Sequence, residues 1–278
     1  MIIQSVSVIG KRDSNEDNHV IFLNSEEQDK SFLNINFFAV FDGHGGNKIS
    51  KFLKDNMQQY FTRKYTSKSP HTTSKSQYES YMIQVFDHLQ KKLKIQYKNI
   101  AEHIGSTALV AINYIDNTKR NNLFIANVGD SRAMICNSHN IANPLTKDHK
   151  PHVVEEKNRI HELDGTIEFD GDDWRIGNLS LARAFGDLDT SPYVSHIPDI
   201  FKYTIQKNDK FIVLSCDGLW DVLSNQDVAN FILEYLIKIE KKEINSNVDI
   251  AKDLAEYAIK EGSMDNITII IIFLQDFQ

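Results

Sequence analysis

At 278 residues, with 41% hydrophobic and 25% charged residues and a net charge of -7, the chain has an ordinary globular composition and length enough for an extensive core. The acidic balance, with no basic stripe, argues against nucleic acid or an anionic membrane as partner. Cys136 and Cys216, the only cysteines, both sit in apolar runs and predict buried, reduced thiols rather than a disulfide framework. No apolar run approaches a membrane span. Ile2 after Met1 removes the glycine that myristoylation needs, and no repeat of about 20 to 50 residues is present.

In chain order, residues 5–9 alternate as a half-buried strand does. A dense polar cluster at 11–18 separates them from the apolar residues 20–23. The stretch Phe37-Phe38-Ala39-Val40-Phe41-Asp42-Gly43-His44-Gly45-Gly46 is a consecutive apolar run ending on a carboxylate, with glycines around a histidine. Such a strand is buried on both faces, so Asp42 emerges at a core edge, where the glycines let the backbone approach an ion or ligand. Ile49, Phe52, Leu53, Met57, Tyr60 and Phe61 predict an amphipathic helix, residues 62–77 an exposed loop, and Tyr78, Tyr81, Met82, Val85, Phe86, Leu89 and Leu93 a second helix.

Strands are predicted over 106–115, 123–128 and 133–136, the last two joined as an antiparallel meander by the turn Gly129-Asp130-Ser131-Arg132. A charged helix is predicted over 145–163, a turn at 170–173, a strand over 178–184 and a loop over 186–198 stiffened by Pro192 and Pro198. Phe211 to Leu214 then lead to Ser215-Cys216-Asp217-Gly218, a second apolar strand ending on Asp-Gly. Asp227 is the predicted cap of a helix carrying Val228, Phe231, Ile232, Tyr235 and Leu236. A further helix stops at Gly262, and Met264-Asp265-Asn266 precedes the buried strand 267–274.

Glu16, Asp17, Asp42, Asp130, Asp217, Asp221 and Asp265 thus lie at or beside the ends of apolar strands. If they converge they need cations, because two carboxylates about 4 Å apart repel by about 4 kcal/mol at an effective dielectric of about 20. An all-oxygen set without paired histidines favours Mg²⁺ or Mn²⁺ over Zn²⁺. Two such ions suit in-line phosphoryl displacement by an activated bridging water. Arg12 and His44 are the right types to hold a phosphate and to protonate a leaving oxygen.

Specific strings in a fixed order carry a resemblance. Arg12-Asp13-Ser14-Asn15-Glu16-Asp17, Val40-Phe41-Asp42-Gly43-His44-Gly45-Gly46, Gly105-Ser106-Thr107-Ala108, Asn127-Val128-Gly129-Asp130-Ser131-Arg132 and Asp148-His149-Lys150-Pro151 are followed by Ala182-Arg183-Ala184-Phe185-Gly186-Asp187, Cys216-Asp217-Gly218-Leu219-Trp220-Asp221 and Ser263-Met264-Asp265-Asn266-Ile267-Thr268. Together they resemble the metal-dependent protein serine/threonine phosphatases of the PP2C family. The resemblance implies an α+β fold, a central β-sandwich of two antiparallel sheets flanked by α-helices, as a single catalytic domain over 1–278.

It also implies roles. Asp42 bridges two metals and Gly43 offers its backbone carbonyl to one. Asp217 and Asp265 complete the other shell, Glu16 and Asp17 act directly or through water, and Asp130 with Asp221 match a third, weaker ion site found in some members. Arg12 matches the phosphate-holding arginine and His44 the general acid. Arg183 matches either the substrate-side flap or a partner of Asp187, and Trp174 and Trp220 are expected to be packing residues. The family often has Ser where Ala182 stands, and Asp164-Gly165 replaces a common Gly-Gly pair.

The expected function is hydrolysis of phosphoserine and phosphothreonine in proteins at a binuclear Mg²⁺ or Mn²⁺ centre. The alternatives are an inactive PP2C-like interaction module and a two-metal hydrolase of other phosphoesters. The expected partners are phosphoprotein substrates, with neither nucleic acid nor membrane engaged. A cytoplasmic monomer is expected, the nucleus being a second location, and either a minimal enzyme or an excised domain fits the sequence.

Overall fold

A computed structural model describes residues 1–23, 33–64 and 68–275. Two five-stranded sheets form its centre. The first runs in the order Asp199–Thr204, Asn121–Val128, Ala108–Ile115, Asn36–Phe41, Asn18–Phe22, and the second in the order Ile2–Val8, Ile267–Phe273, Phe211–Ser215, Arg132–Cys136, Ala142–Pro144. Every neighbouring pair is antiparallel.

The consecutive apolar runs are explained by burial on both faces. From Asn36–Phe41, Phe38 and Val40 pack with Leu109, Ile125, Ile135, Leu214 and Ile270 in the layer shared by the two sheets. Phe37, Ala39 and Phe41 turn the other way, against Ile49 and Leu53 of the helix Lys48–Asn56 and Met82, Phe86 and Leu89 of the helix Lys75–Gln96. Across the second sheet, Val213, Ile269 and Ile271 meet Val228 and Ile232 of Asn225–Glu240 and Leu254 and Ala258 of Ile250–Lys260. This is the predicted α+β sandwich with helices on its outer faces.

Five local expectations are corrected. Residues 129–131 do not close a hairpin: Asn121–Val128 belongs to the first sheet and Arg132–Cys136 to the second, so the chain crosses between sheets there. The charged helix is shorter, Val154–Glu162. Residues 147–149 are instead held as a loop, where Asn127 Nδ2 donates to the Lys147 carbonyl (3.1 Å) and the Gly129 N–H to His149 Nδ1 (3.1 Å).

Ser224, not Asp227, caps Asn225–Glu240, and Asp227 returns its carboxylate to the Ser224 N–H in a capping box. The predicted strand at 178–184 contains only isolated bridges, Ile176 to Leu179 and Arg183 to Ser195. Of the predicted loop at 62–77, residues 65–67 lie outside the described residues, and its last part is helical because Ser74 and Gln77 form a second capping box.

Candidate active site

Antiparallel pairing explains how distant carboxylates meet. Asn18 lies opposite Phe41, so Asp17 and Asp42 leave the first sheet at the same end. Ser215 lies opposite Ile269, which brings Asp217 and Asp265 to one end of the second sheet. Val8 opposite Ile267 adds the turn that carries Arg12 and Glu16. Asp130, in the crossing segment, stands between the sheets. Asn266 ties the parts together: its Nδ2 donates to the carbonyls of Ile9 (2.8 Å) and Ser14 (2.9 Å), and its Oδ1 accepts from the Glu16 N–H (2.9 Å).

The result is a cavity of about 410 Å³ lined by Arg12, Glu16, Asp42, Gly43, His44, Asp130, Asp217 and Asp265, with Arg175 and residues 178–181 on its far side. One ligand atom each from Asp42, Asp130 and Asp217 lie within 4.8 Å of one another, and a second such group joins Asp17, Asp42 and the Cys216 Sγ. Asp42 is common to both. It is fixed by Thr107, whose Oγ1 accepts the Asp42 N–H (3.0 Å) and whose own N–H donates to the Asp42 carbonyl (2.8 Å).

The electrostatics are those of a site built for cations. Burial, then Asp217, Asp17 and Asp130, push the Asp42 carboxyl well above the usual carboxylate range. Burial and Asp130 and Asp221 do the same to Asp217, against the opposing charge of Lys150. Asp17 is pushed up to about 6, chiefly by burial. Its Oδ2 accepts from the Thr268 hydroxyl (2.7 Å), while its buried Oδ1 has no hydrogen-bond partner.

An unpartnered buried carboxylate oxygen beside like charges is what a hard-cation ligand looks like before its ion is counted. The donor set therefore fits Mg²⁺ or Mn²⁺. Cys216 does not alter that choice. Its thiol is pushed well up by burial, donates to the Asn266 carbonyl (3.4 Å) and accepts from the Thr268 N–H (3.1 Å).

The remaining expected residues divide. Asp265 Oδ2 lies 2.6 Å from Arg12 Nη2, so the phosphate-holding candidate rests on a ligand candidate. Glu16 lines the cavity, but its Oε2 accepts from the Gly46 N–H (3.0 Å) and it is absent from both close groups. Asp130 joins Asp42 and Asp217. Asp221 stands exposed at the rim, in a shallow neighbouring depression with Arg12 and Asp265.

Arg183 does not touch Asp187; it pairs with Glu156 and with Asp199 (2.8 Å). Trp220 is buried, as expected of a packing residue, and its Nε1 donates to the Ser215 carbonyl (3.0 Å). Trp174 also packs, against Phe169 on a small hairpin, but at the exposed surface and not in the core.

Two site residues escape the sequence reading. Lys150 Nζ lies 2.6 Å from Asp130 Oδ2 and 3.9 Å from Asp217 Oδ2, a built-in cation at the cluster. Asp187 Oδ2 lies 2.7 Å from His44 Nε2. Burial pulls the His44 imidazole down, but the hydrogen bond and charge of Asp187 outweigh it, and the net direction is up. Both residues sit inside strings quoted for the resemblance, yet no apolar run marks them locally.

The family model for Protein phosphatase 2C matches residues 3–267. A PP2C-like domain-containing protein of Acanthamoeba polyphaga mimivirus is 44% identical over 57% of this chain and 98% of its own length. The integrin-linked kinase-associated serine/threonine phosphatase 2C of Bos taurus is 34% identical over 95% of this chain and 74% of its own.

Among solved structures, a Caenorhabditis elegans sex-determining protein aligns with a TM-score of 0.79 at 26% identity, over 99% of this chain and 65% of that one. A Toxoplasma gondii phosphatase aligns at 0.78 and 21% identity over 97% and 91%, a likeness of fold. With carboxylates from both sheets meeting in one cavity and the family model covering nearly the whole length, the chain belongs to the protein phosphatase 2C family of serine/threonine protein phosphatases.

Proposed function

We propose that this chain hydrolyses phosphoserine and phosphothreonine in proteins at a centre of two Mg²⁺ or Mn²⁺ ions. The observation that carries the proposal is the double membership of Asp42 in two close ligand groups. Asp42 would bridge the pair and Gly43 would offer its carbonyl. Asp217 and Asp265 would hold one ion, with Asp130 close beside Asp42 and Asp217, and Asp17 and Glu16 would serve the other, directly or through water; Asp130 would also face a weaker third near Asp221. When bound, the ions supply Lewis acidity toward the phosphoryl oxygens and a water of lowered pKa.

The chain's own residues do the rest. Arg12 turns from Asp265 to grip the substrate phosphate through its fork of donors. His44 donates to the oxygen leaving phosphorus. Lys150 offsets the charge on Asp130 and so keeps the cluster from being wholly anionic. We take 1–278 as one catalytic domain acting as a monomer on phosphoproteins, with neither nucleic acid nor membrane as partner. The buried, free thiols of Cys136 and Cys216 support a reducing location, cytoplasmic or also nuclear.

The test is phosphate release from a phosphothreonine peptide with Mn²⁺, with Mg²⁺ and with chelator. Release is expected with either ion and loss to background with chelator. Release that persists in chelator overturns the two-metal reading. Turnover of a phosphodiester with none of the peptide overturns the substrate class.

A further inference from the structure

We propose that Asp187 is a positioning residue for His44, gripping Nε2 so that Nδ1 is the nitrogen presented to the cavity. This rests on the reading of His44 as proton donor to the leaving oxygen.

The pair is assembled by three two-residue strands, Gly43–His44, Gly105–Ser106 and Phe185–Gly186. His44 pairs with Gly105 on one side and Gly186 pairs with the same Gly105 on the other. Side chains 143 residues apart therefore meet across a single glycine. A Cβ on Gly105 would stand 2.1 Å from Asp187 Oδ2 and 2.4 Å from His44 Nε2, so the ion pair occupies the space that any other residue would need.

The approach of Asp187 is held from several directions. Gln90 exchanges hydrogen bonds with the backbone of Gly186, accepting its N–H (3.1 Å) and donating to its carbonyl (3.3 Å). Thr190 donates its hydroxyl (2.8 Å) and its N–H (3.1 Å) to the Asp187 carbonyl. Asp187 itself takes φ +45°, a conformation that non-glycine residues seldom adopt and that surrounding structure has to enforce. Its side chain is 2% exposed, against 27% for His44, so the carboxylate is the fixed member and the ring the one that reaches the cavity.

Asp187 belongs to neither close ligand group, which separates it from the ion-holding carboxylates. As the P–O bond breaks, its electron pair passes to the serine or threonine oxygen, which takes a proton from His44 Nδ1. Asp187 keeps the Nε2–H hydrogen bond throughout and gains no proton.

The experiment compares two leaving groups and reads the ring directly. In the Mn²⁺-loaded enzyme, Asp187→Ala should lower kcat on a phosphothreonine peptide about 10- to 100-fold, part of what a general acid contributes. The loss on p-nitrophenyl phosphate, whose leaving oxygen needs less protonation, should be at least about tenfold smaller. His44→Ala should reproduce that selectivity, and the double variant should be no worse than His44→Ala.

Asp187→Asn, which tolerates positive φ and still accepts from Nε2–H, should recover part of the loss. In metal-free protein at alkaline pH, ¹⁵N spectra of the His44 imidazole should report one Nε2–H tautomer in the wild type and in Asp187→Asn, and a mixture in Asp187→Ala. Equal losses on both substrates, or a tautomer unchanged in Asp187→Ala, overturn the inference. If the wild type hydrolyses neither substrate, the phosphatase reading falls, and the spectra alone decide whether Asp187 holds the ring.

Discussion

The floor and the far wall of the cavity use charge in opposite ways. On the floor, Asp17, Asp42, Asp217 and Asp265 leave the ends of long strands, fixed by backbone ladders, and repel one another. The wall, residues 145–198, has little sheet and closes on a small core of Ile160, Ile176, Leu181, Ala184 and Val194. It is tied by opposite charges, with Glu156 taking both Arg159 (2.9 Å) and Arg183, and Arg183 also taking Asp199. Burial raises Glu156, yet Arg183 outweighs it and the carboxyl is held below its usual range. A region balanced within itself keeps its shape without ligands. A region whose carboxylates outnumber Lys150 and Arg12 gains further stability from cations that bind there.

The largest effect should follow Asp217→Asn on the floor. Activity on a phosphothreonine peptide should fall by about three orders of magnitude or more, because a proposed ion ligand is lost. The metal-free protein should nevertheless melt at a higher temperature, since one buried like charge is gone, and its Mn²⁺-induced rise in Tm should shrink. A lower metal-free Tm would show that repulsion is not what limits the floor.

Next, Glu156→Ala in the wall leaves Arg159 and Arg183 without their shared buried partner. It should cost about 3–5 kcal/mol in denaturant unfolding, with faster hydrogen exchange concentrated in 145–198. Exchange that quickens equally on the floor would erase the distinction between the two regions.

The smallest effect is in pH. Asp17 is at about 6 in the fold against 3.8 ordinarily. Between those values the folded state keeps a proton that the unfolded state has lost, so metal-free stability should fall as pH rises through that window. The slope is at most about 1.4 kcal/mol per pH unit for each such group. Asp42 and Asp217, whose carboxyls are also raised, act in the same direction. With Mn²⁺ present the trend should flatten or reverse, because protons then compete with ions. Tm measured against pH in chelator and in Mn²⁺ checks the sign, and a metal-free Tm that climbs with pH would contradict it.

The floor was legible in the sequence because each of its motifs is local: an apolar run and the carboxylate that ends it are chain neighbours, as in Phe41-Asp42 and Cys216-Asp217. The wall was not. Asp187 finds His44 across 143 residues, and no periodicity marks a strand of two residues. The crossing at 129–131 hides for a related reason: apolar strand, polar turn, apolar strand is the pattern of a hairpin and of a passage between sheets alike. Between Ser224 and Asp227 the sequence alone does not decide, because both members of a capping box are good cap residues.

That crossing gives the molecule a property of its own. Asp42 is carried by one sheet, Asp217 and Asp265 by the other, and Asp130 by the strap between them. The gap between these carboxylates, where we propose the ions bind, is therefore set by how thickly Phe38, Val40, Ile135, Leu214 and Ile270 fill the layer between the sheets. The sandwich works as a caliper, its jaws holding carboxylates and its opening fixed by hydrocarbon.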